Sequence, residues 1–373
     1  MTSKERIYTV VKKGQAADRV PWTLNFGAYQ SMWPHFMDAY KKSRGIEGYL
    51  FDVLDYDVLN VLAPEETGDT FCAGGLGWLS NGIDPEKYYT KAELSRPGVF
   101  VDAWGQLNVP WGEHPDNTNV EPPLKNAESI EELENYPIPE VDPAKIEPMR
   151  KDAEKIHAKE KYAIADCGGL FGGAWYLRGL ENFMMDLYDD PSWCELLLDR
   201  VAEAMIKRVQ ATLSTGVDMI GFYDDLGTQN GPMLNPKMWT ELVKPRWAKI
   251  FEAARKANPD VMIFMHSCGF VKDFIPEFID IGLDILHPIQ PEAMDVYEVA
   301  KEYQKDICFW GTMSMQKTMS FGTPADVERE VRERVERIGQ NGHLILSPGN
   351  MFTPETPFEN VDAYIEACRK YCG

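Results

Sequence analysis

The sequence predicts a TIM (β/α)8 barrel, and three observations carry that expectation. Seven short apolar runs recur: PWTLNFG (21–27), YAIADCGG (162–169), VDMIGFYDD (217–225), VMIFMHSCG (261–269), LDILHPIQ (283–290), ICFWGTM (307–313) and HLILSPGN (343–350). Helix-periodic stretches such as NPKMWTELVKPRWAKIFEAARKA and TPADVEREVRERVERIG follow the later runs in strict alternation. Strand-helix alternation of this kind builds a parallel sheet. Length is the third observation: 373 residues, 44% hydrophobic and 12% aromatic, suit one large barrel core. An eighth strand is not identifiable from the pattern.

The elements follow in order. PWTLNFG opens the barrel, but residues 28–160 do not keep the rhythm. Stretches such as FCAGGLGWLSNGIDPEKYY and WGQLNVPWGEHPDNTNVEPP are aromatic-rich and broken by proline and glycine, with little regular structure expected. Long loops in compact domains usually cover or bind something. Residues 28–160 are therefore predicted to be an irregular insertion after the first strand that covers the mouth, within a single domain spanning 1–373. From Val217 to the C-terminus the strand-helix rhythm is tight.

Charge narrows the partners. The 59 acidic residues against 38 basic ones leave a net charge of −21, which argues against nucleic acid and anionic membrane. No run approaches a membrane span, and MTSKERIYTVVKKGQAADRV lacks the apolar core of a signal peptide. A cytoplasmic enzyme is expected. Seven scattered cysteines fit a reducing compartment better than a disulfide framework, and Cys368 and Cys372 read as a frayed surface pair.

Strand C-termini supply the active site in this fold. The polar residues at those ends are Asn25, Asp166 and Cys167, Asp224 and Asp225, His266 and Cys268, His287 and Gln290, Thr312, and Asn350. FMHSCGF (264–270) stands out, because side chains two apart on a strand point the same way. His266 and Cys268 are thus candidate ligands of a soft metal, zinc foremost. A catalytic zinc takes three protein ligands, so a third is sought among Asp225, Asp224, His287 and Cys308, although Cys308 lies early in its strand. Each has a plainer reading: Cys268 as a small buried hydrophobe, the two aspartates as turn caps, His287 as a core histidine. Tyr29, Trp33, Trp104 and Trp175 read mostly as core with one or two lining a pocket, and Met313, Met315, Met319 and Met351 as core or adaptable lining.

The runs GVDMIGFYDDLGTQNGPMLNPKMWTELVKPRWAKIFEAARK, MHSCGFVKDFIPEFIDIGLDILHPIQ, FWGTMSMQKTMSFGTPADVEREV and ILSPGNMFTPETPFENV, with DCGGLFGGAWYLRGLENFMMDLYDDP in the second-strand region, resemble the uroporphyrinogen decarboxylase superfamily over most of 162–373. True decarboxylases of that superfamily carry an arginine-rich first strand, where this chain reads LNFGAYQS. The H-x-C-G element is instead similar to the cobalamin-linked methyltransferase branch, in which it binds zinc. That branch adds a second cysteine, and in some members an acid; the positions matching by motif and order here are Asn350 and Gln290, neither a good zinc ligand.

The resemblance therefore implies a methyltransferase of a corrinoid-dependent demethylation system. It would move methyl from a small donor, an aryl methyl ether or methylamine, to cob(I)alamin on a separate corrinoid protein, since no D-x-H-x-x-G element is present. Asp225, His266 and Asp224 are the expected catalytic residues, His266 and Cys268 the expected metal ligands. Asn25, Tyr29, Trp175, Gln290, Thr312, Met313 and Asn350 are expected at the substrate, and residues 61–125 at the corrinoid protein. A homodimer is compatible with the resemblance. A zinc-dependent methylcobalamin:thiol methyltransferase, a decarboxylase of a smaller acid, and a ligand-binding barrel without metal remain as alternatives.

Overall fold

The computed structural model describes residues 1–30, 32, 34–48, 50–54, 56–60, 79–80, 82–110 and 118–373. Among the described residues, seven strands lie parallel in one sheet: β1 (Val58–Asn60), β2 (Tyr162–Asp166), β3 (Met219–Tyr223), β4 (Met262–His266), β5 (Ile285–His287), β6 (Cys308–Trp310) and β7 (Leu344–Ile345). Residues 21–25 close the ring between β7 and β1. Thr23 N donates to Leu346 O at 3.0 Å, Leu346 N to Pro21 O at 2.9 Å, and Asp57 N to Trp22 O at 3.1 Å. The result is the eight-membered TIM barrel, with PWTLNFG as the closing segment and β1 as the strand the sequence pattern left unplaced.

That placement corrects the extent of the insertion. β1 belongs to the barrel yet falls inside 28–160, as does the helix Pro143–Ala158 that leads into β2. Further, the described part of the insertion has regular structure: an antiparallel sheet joins Phe100–Val101, Leu107–Pro110 and Thr118–Glu121. It is tied to the helix Phe171–Arg178, because Leu124 N donates to Leu177 O and Arg178 Nη1 to Leu124 O, both at 2.9 Å. Trp33 and residues 61–78, 81 and 111–117, where part of the expected corrinoid contact falls, lie outside the described residues.

Strand periodicity sorts the side chains. Ile164, Met219, Met262, Phe264, Ile285 and Trp310 form the barrel's inner core, while the alternating residues Ala163, Ile220, Ile263, Met265, Leu286 and Phe309 join the layer under the helices. Burying an aromatic such as Phe264 contributes about 2–3 kcal/mol. At the bottom, helix α1 (Ser3–Val11) packs Ile7, Val10 and Val11 onto the inner core. Its capping box of Thr2 and Glu5 sets its start. Lys4 and Lys12 reach Asp218 and Asp284, the residues just below β3 and β5. Fully buried Asp57 accepts from Ser3 Oγ, Arg6, Arg19 and Trp22 N, joining helix, closing segment and β1.

Cys368 and Cys372 are buried on the C-terminal helix Phe358–Tyr371 and beyond it, not frayed at the surface. The helix turns that face inward, and both thiols join the outer core layer. Among the described residues, no helix is long and apolar enough to cross a membrane.

Candidate active site

Register places the site. Tyr223 pairs with His266, and His266 with His287, so one layer at the sheet's C-terminal edge carries all three. These residues share the inward phase of Phe264 and Ile285. The His266 and His287 rings lie 5.0 Å apart and 29° from parallel, with Tyr223 5.6 Å from His266. His266 Nδ1 faces His287 Nδ1 at 2.8 Å, and His287 Nε2 lies 3.4 Å from Pro348 O.

Above this layer three donors converge. His266 Nε2 is 3.2 Å from Cys268 Sγ and 3.6 Å from Asp225 Oδ1. Cys268 N donates to Asp225 Oδ1 at 2.8 Å, which anchors the carboxylate although half of the side chain is exposed. The nitrogen, sulfur and oxygen all lie within 4.8 Å of one another. Nitrogen, sulfur and oxygen donors in that number match what a catalytic zinc takes from protein, leaving an open side for a reactant.

Electrostatics fit a latent metal site. Burial drives the Cys268 thiol well above its ordinary value, Asp225 adds to that, and the Asn350 amide opposes it. Without a cation the thiol keeps its proton. Burial also holds His266 below its ordinary value, with Asp225 opposing, so the imidazole is neutral at pH 7 and able to ligate. A divalent cation between them would reverse the balance at sulfur, because coordination deprotonates a thiol.

Adjacent aspartates have opposite tasks. Asp225 continues the inward phase of Tyr223, whereas Asp224 points outward and is fully buried. Its carboxylate accepts from Phe171 N at 3.0 Å, Gly172 N at 2.6 Å and Trp247 Nε1 at 3.3 Å, so it pins the start of the helix Phe171–Arg178. Burial pushes it up to about 7, against those three N–H donors. The catalytic assignment expected for Asp224 is thus replaced by a structural one, for the reason of strand phase.

The remaining candidates divide. Asn350 Nδ2 donates to Cys268 Sγ at 3.2 Å while its Oδ1 accepts from Met351 N, so it touches the cluster with an N–H rather than a ligand atom. Gln290 Oε1 accepts from Gly269 N at 2.9 Å and its amide reaches Gln229, which braces the loop after Cys268. Tyr29 packs against Tyr223 with ring centres 4.6 Å apart and donates its hydroxyl to Asp166. Trp175 stacks on Tyr176 at 4.0 Å, and its buried Nε1 has no hydrogen-bond partner among the described residues. Asn25 is fully buried and donates to Val58 O at 3.1 Å, a seam between the closing segment and β1. Thr312 and Met313 are fully buried; Thr312 O accepts from Arg334 at 3.0 Å, and the Thr312 hydroxyl has no partner among the described residues. Cys308 sits in the inner core below the site and supplies no ligand. Tyr223 was not singled out from the sequence; counting back two residues from Asp225 would have found it.

A family model described as uroporphyrinogen decarboxylase (URO-D) matches residues 105–371. The chain belongs to the uroporphyrinogen decarboxylase family. Within that family it is 22% identical over 183 residues to a uroporphyrinogen decarboxylase of Nostoc punctiforme, covering 49% of each chain. It is 24% identical over 195 residues to the methylcobamide:CoM methyltransferase MtaA of Methanosarcina barkeri, covering 52% of this chain and 54% of that one. The chain spans about half the length of these curated relatives. A solved methyltransferase from Methanosarcina mazei aligns over the whole of both chains with a TM-score of 0.69 and 18% identity, a likeness of fold.

Proposed function

We propose that the chain is a methyltransferase of a corrinoid-dependent demethylation system, with a zinc ion held by Asp225, His266 and Cys268. It takes methyl from a small donor of the aryl methyl ether or methylamine type and passes it to cob(I)alamin on a separate corrinoid protein. The observation that carries this proposal is the make-up of the cluster at Cys268: one imidazole, one thiol and one carboxylate, with the Asn350 amide at the sulfur in place of a second thiol. A carboxylate is a harder and less electron-releasing ligand than a thiolate. Such a set favours polarising an oxygen or nitrogen over keeping a bound thiolate nucleophilic. When bound, the zinc supplies Lewis acidity to the departing phenolate or amine.

The chain's own residues do the remaining work. His266 stays neutral through burial, and Asp225 is fixed by the Cys268 backbone while keeping half its surface open. Asn350 donates to the sulfur and offsets charge on the thiolate. Tyr29 and Tyr223 form an aromatic wall beside His266, suited to the apolar body of a donor, and Trp175 offers an indole N–H that has no partner among the described residues.

A second assignment, a methylcobalamin:thiol methyltransferase, is favoured by the thiol in the ligand set and by the activity named for the Methanosarcina barkeri relative. One assay separates them. Loss of the cob(I)alamin absorption with a panel of aryl methyl ethers and methylamines supports the donor-side enzyme. Demethylation of methylcobalamin by free thiols, with no donor consumed, overturns it.

A further inference from the structure

We infer that His287 is a positioning residue that locks His266 in its Nδ1–H tautomer, so that the Nε2 lone pair faces Cys268 and Asp225. The chain of hydrogen bonds determines the proton on each nitrogen. Pro348 O can only accept, so His287 Nε2, 3.4 Å away, carries a hydrogen. A neutral His287 then presents a lone pair at Nδ1. His266 Nδ1, 2.8 Å from it, must donate, and its own proton is thereby placed. His266 Nε2 is left as an acceptor 3.2 Å from the sulfur and 3.6 Å from the carboxylate oxygen.

Neutrality of the pair follows from its surroundings. Both rings are buried, which disfavours charge on either, and two Nδ1 atoms 2.8 Å apart have room for one proton between them. The fold also makes room for His287 specifically. A Cβ on Gly311 would come within 2.5 Å of His287 Cδ2 and 2.6 Å of Nε2, and Gly311 has φ +81°, a conformation favouring glycine. The ring therefore lies directly on backbone, held between Gly311, Pro348 O and His266. Metal-bound histidines commonly have their second nitrogen engaged by a carboxylate or carbonyl. Here a second histidine does so, and it in turn is fixed by a carbonyl.

Two measurements test this on the full chain. In the metal-free protein labelled with 15N-histidine, long-range 15N–1H correlation is expected to show His266 protonated at Nδ1 and bare at Nε2, opposite to the form neutral histidine prefers in water. Finding the proton on Nε2 overturns the inference without any variant being made. In His287→Leu the acceptor is gone, and His266 is expected to revert to Nε2–H with zinc affinity, measured by chelator competition, falling roughly 10- to 100-fold. His287→Gln, which retains a carbonyl acceptor, is expected to recover part of that loss. The affinity arm rests on the proposed metal centre, whereas the tautomer arm does not. A parent chain that shows Nδ1–H and binds no zinc supports the tautomer lock and removes the metal proposal; a His287→Leu variant with unchanged tautomer and affinity overturns the lock.

Discussion

Asp224 and Asp225 are neighbours in sequence, and replacing each by alanine is expected to do opposite things. Asp224→Ala leaves Phe171 N, Gly172 N and Trp247 Nε1 buried without their acceptor. At about 1 kcal/mol for each, the low end for an orphaned donor, the loss is about 3 kcal/mol. A 373-residue chain unfolds with an entropy near 0.8 kcal/mol/K, scaled from roughly 2.1 cal/mol/K per residue, so Tm drops by about 4 °C. Because burial raises the folded-state value of Asp224 to about 7, its stabilising share is full below about pH 4 and fades as pH rises through about 7. The Tm deficit is therefore largest in acid. Asp225→Ala, with its side chain half exposed and one N–H, that of Cys268, left to solvent, costs about 1 kcal/mol at most but weakens zinc binding. Calorimetry paired with zinc titration reads both effects. The reverse pattern, zinc lost with Asp224→Ala and Tm lost with Asp225→Ala, would refute the assignment by strand phase.

Three other outcomes follow from the same geometry. Asp166 is pushed up to about 6 by burial, against hydrogen bonds from Tyr29 and Gly168 N, so its contribution is present in acid and lost as pH rises through about 6. In urea unfolding, Asp166→Asn should lag the parent more at pH 4.5 than at pH 7.5, buffer values chosen to bracket that change at roughly one unit or more on either side; a gap independent of pH contradicts this. Gly311→Ala adds a side chain at φ +81° against the His287 ring, costing about 2 kcal/mol or more and weakening zinc binding, as thermal melts and chelator competition would show. Asp57→Ala strips a buried carboxylate from Arg6 and Arg19 and is expected to cost about 3–5 kcal/mol by denaturant titration, with zinc binding intact in the folded fraction. An unchanged midpoint would mean that the barrel seam is held elsewhere.

What could be read from sequence depended on whether strand phase alone decided it. His266 and Cys268 meet because residues two apart share a face, and that spacing is visible in FMHSCGF. The same phase separates Asp224 from Asp225, but applying it required knowing that β3 stays extended through Tyr223. The His266–His287 contact depends on the pairing of β4 with β5, which no single run contains. β1 escaped notice because Val58–Asn60 is three residues long and follows Asp57, a charge whose neutralising arginines lie far away in sequence. The Asn350 amide at the sulfur was foreshadowed by motif order, whereas its choice of N–H over oxygen depends on Met351 N taking the oxygen.

The most direct test of the metal centre is elemental analysis of purified chain saturated with zinc and then desalted, beside a His266→Ala, Cys268→Ala double variant with an unchanged circular dichroism spectrum. Near one zinc per parent chain and none in the variant is the predicted result. Equal zinc in both, or none in the parent, would contradict a metal site at Asp225, His266 and Cys268.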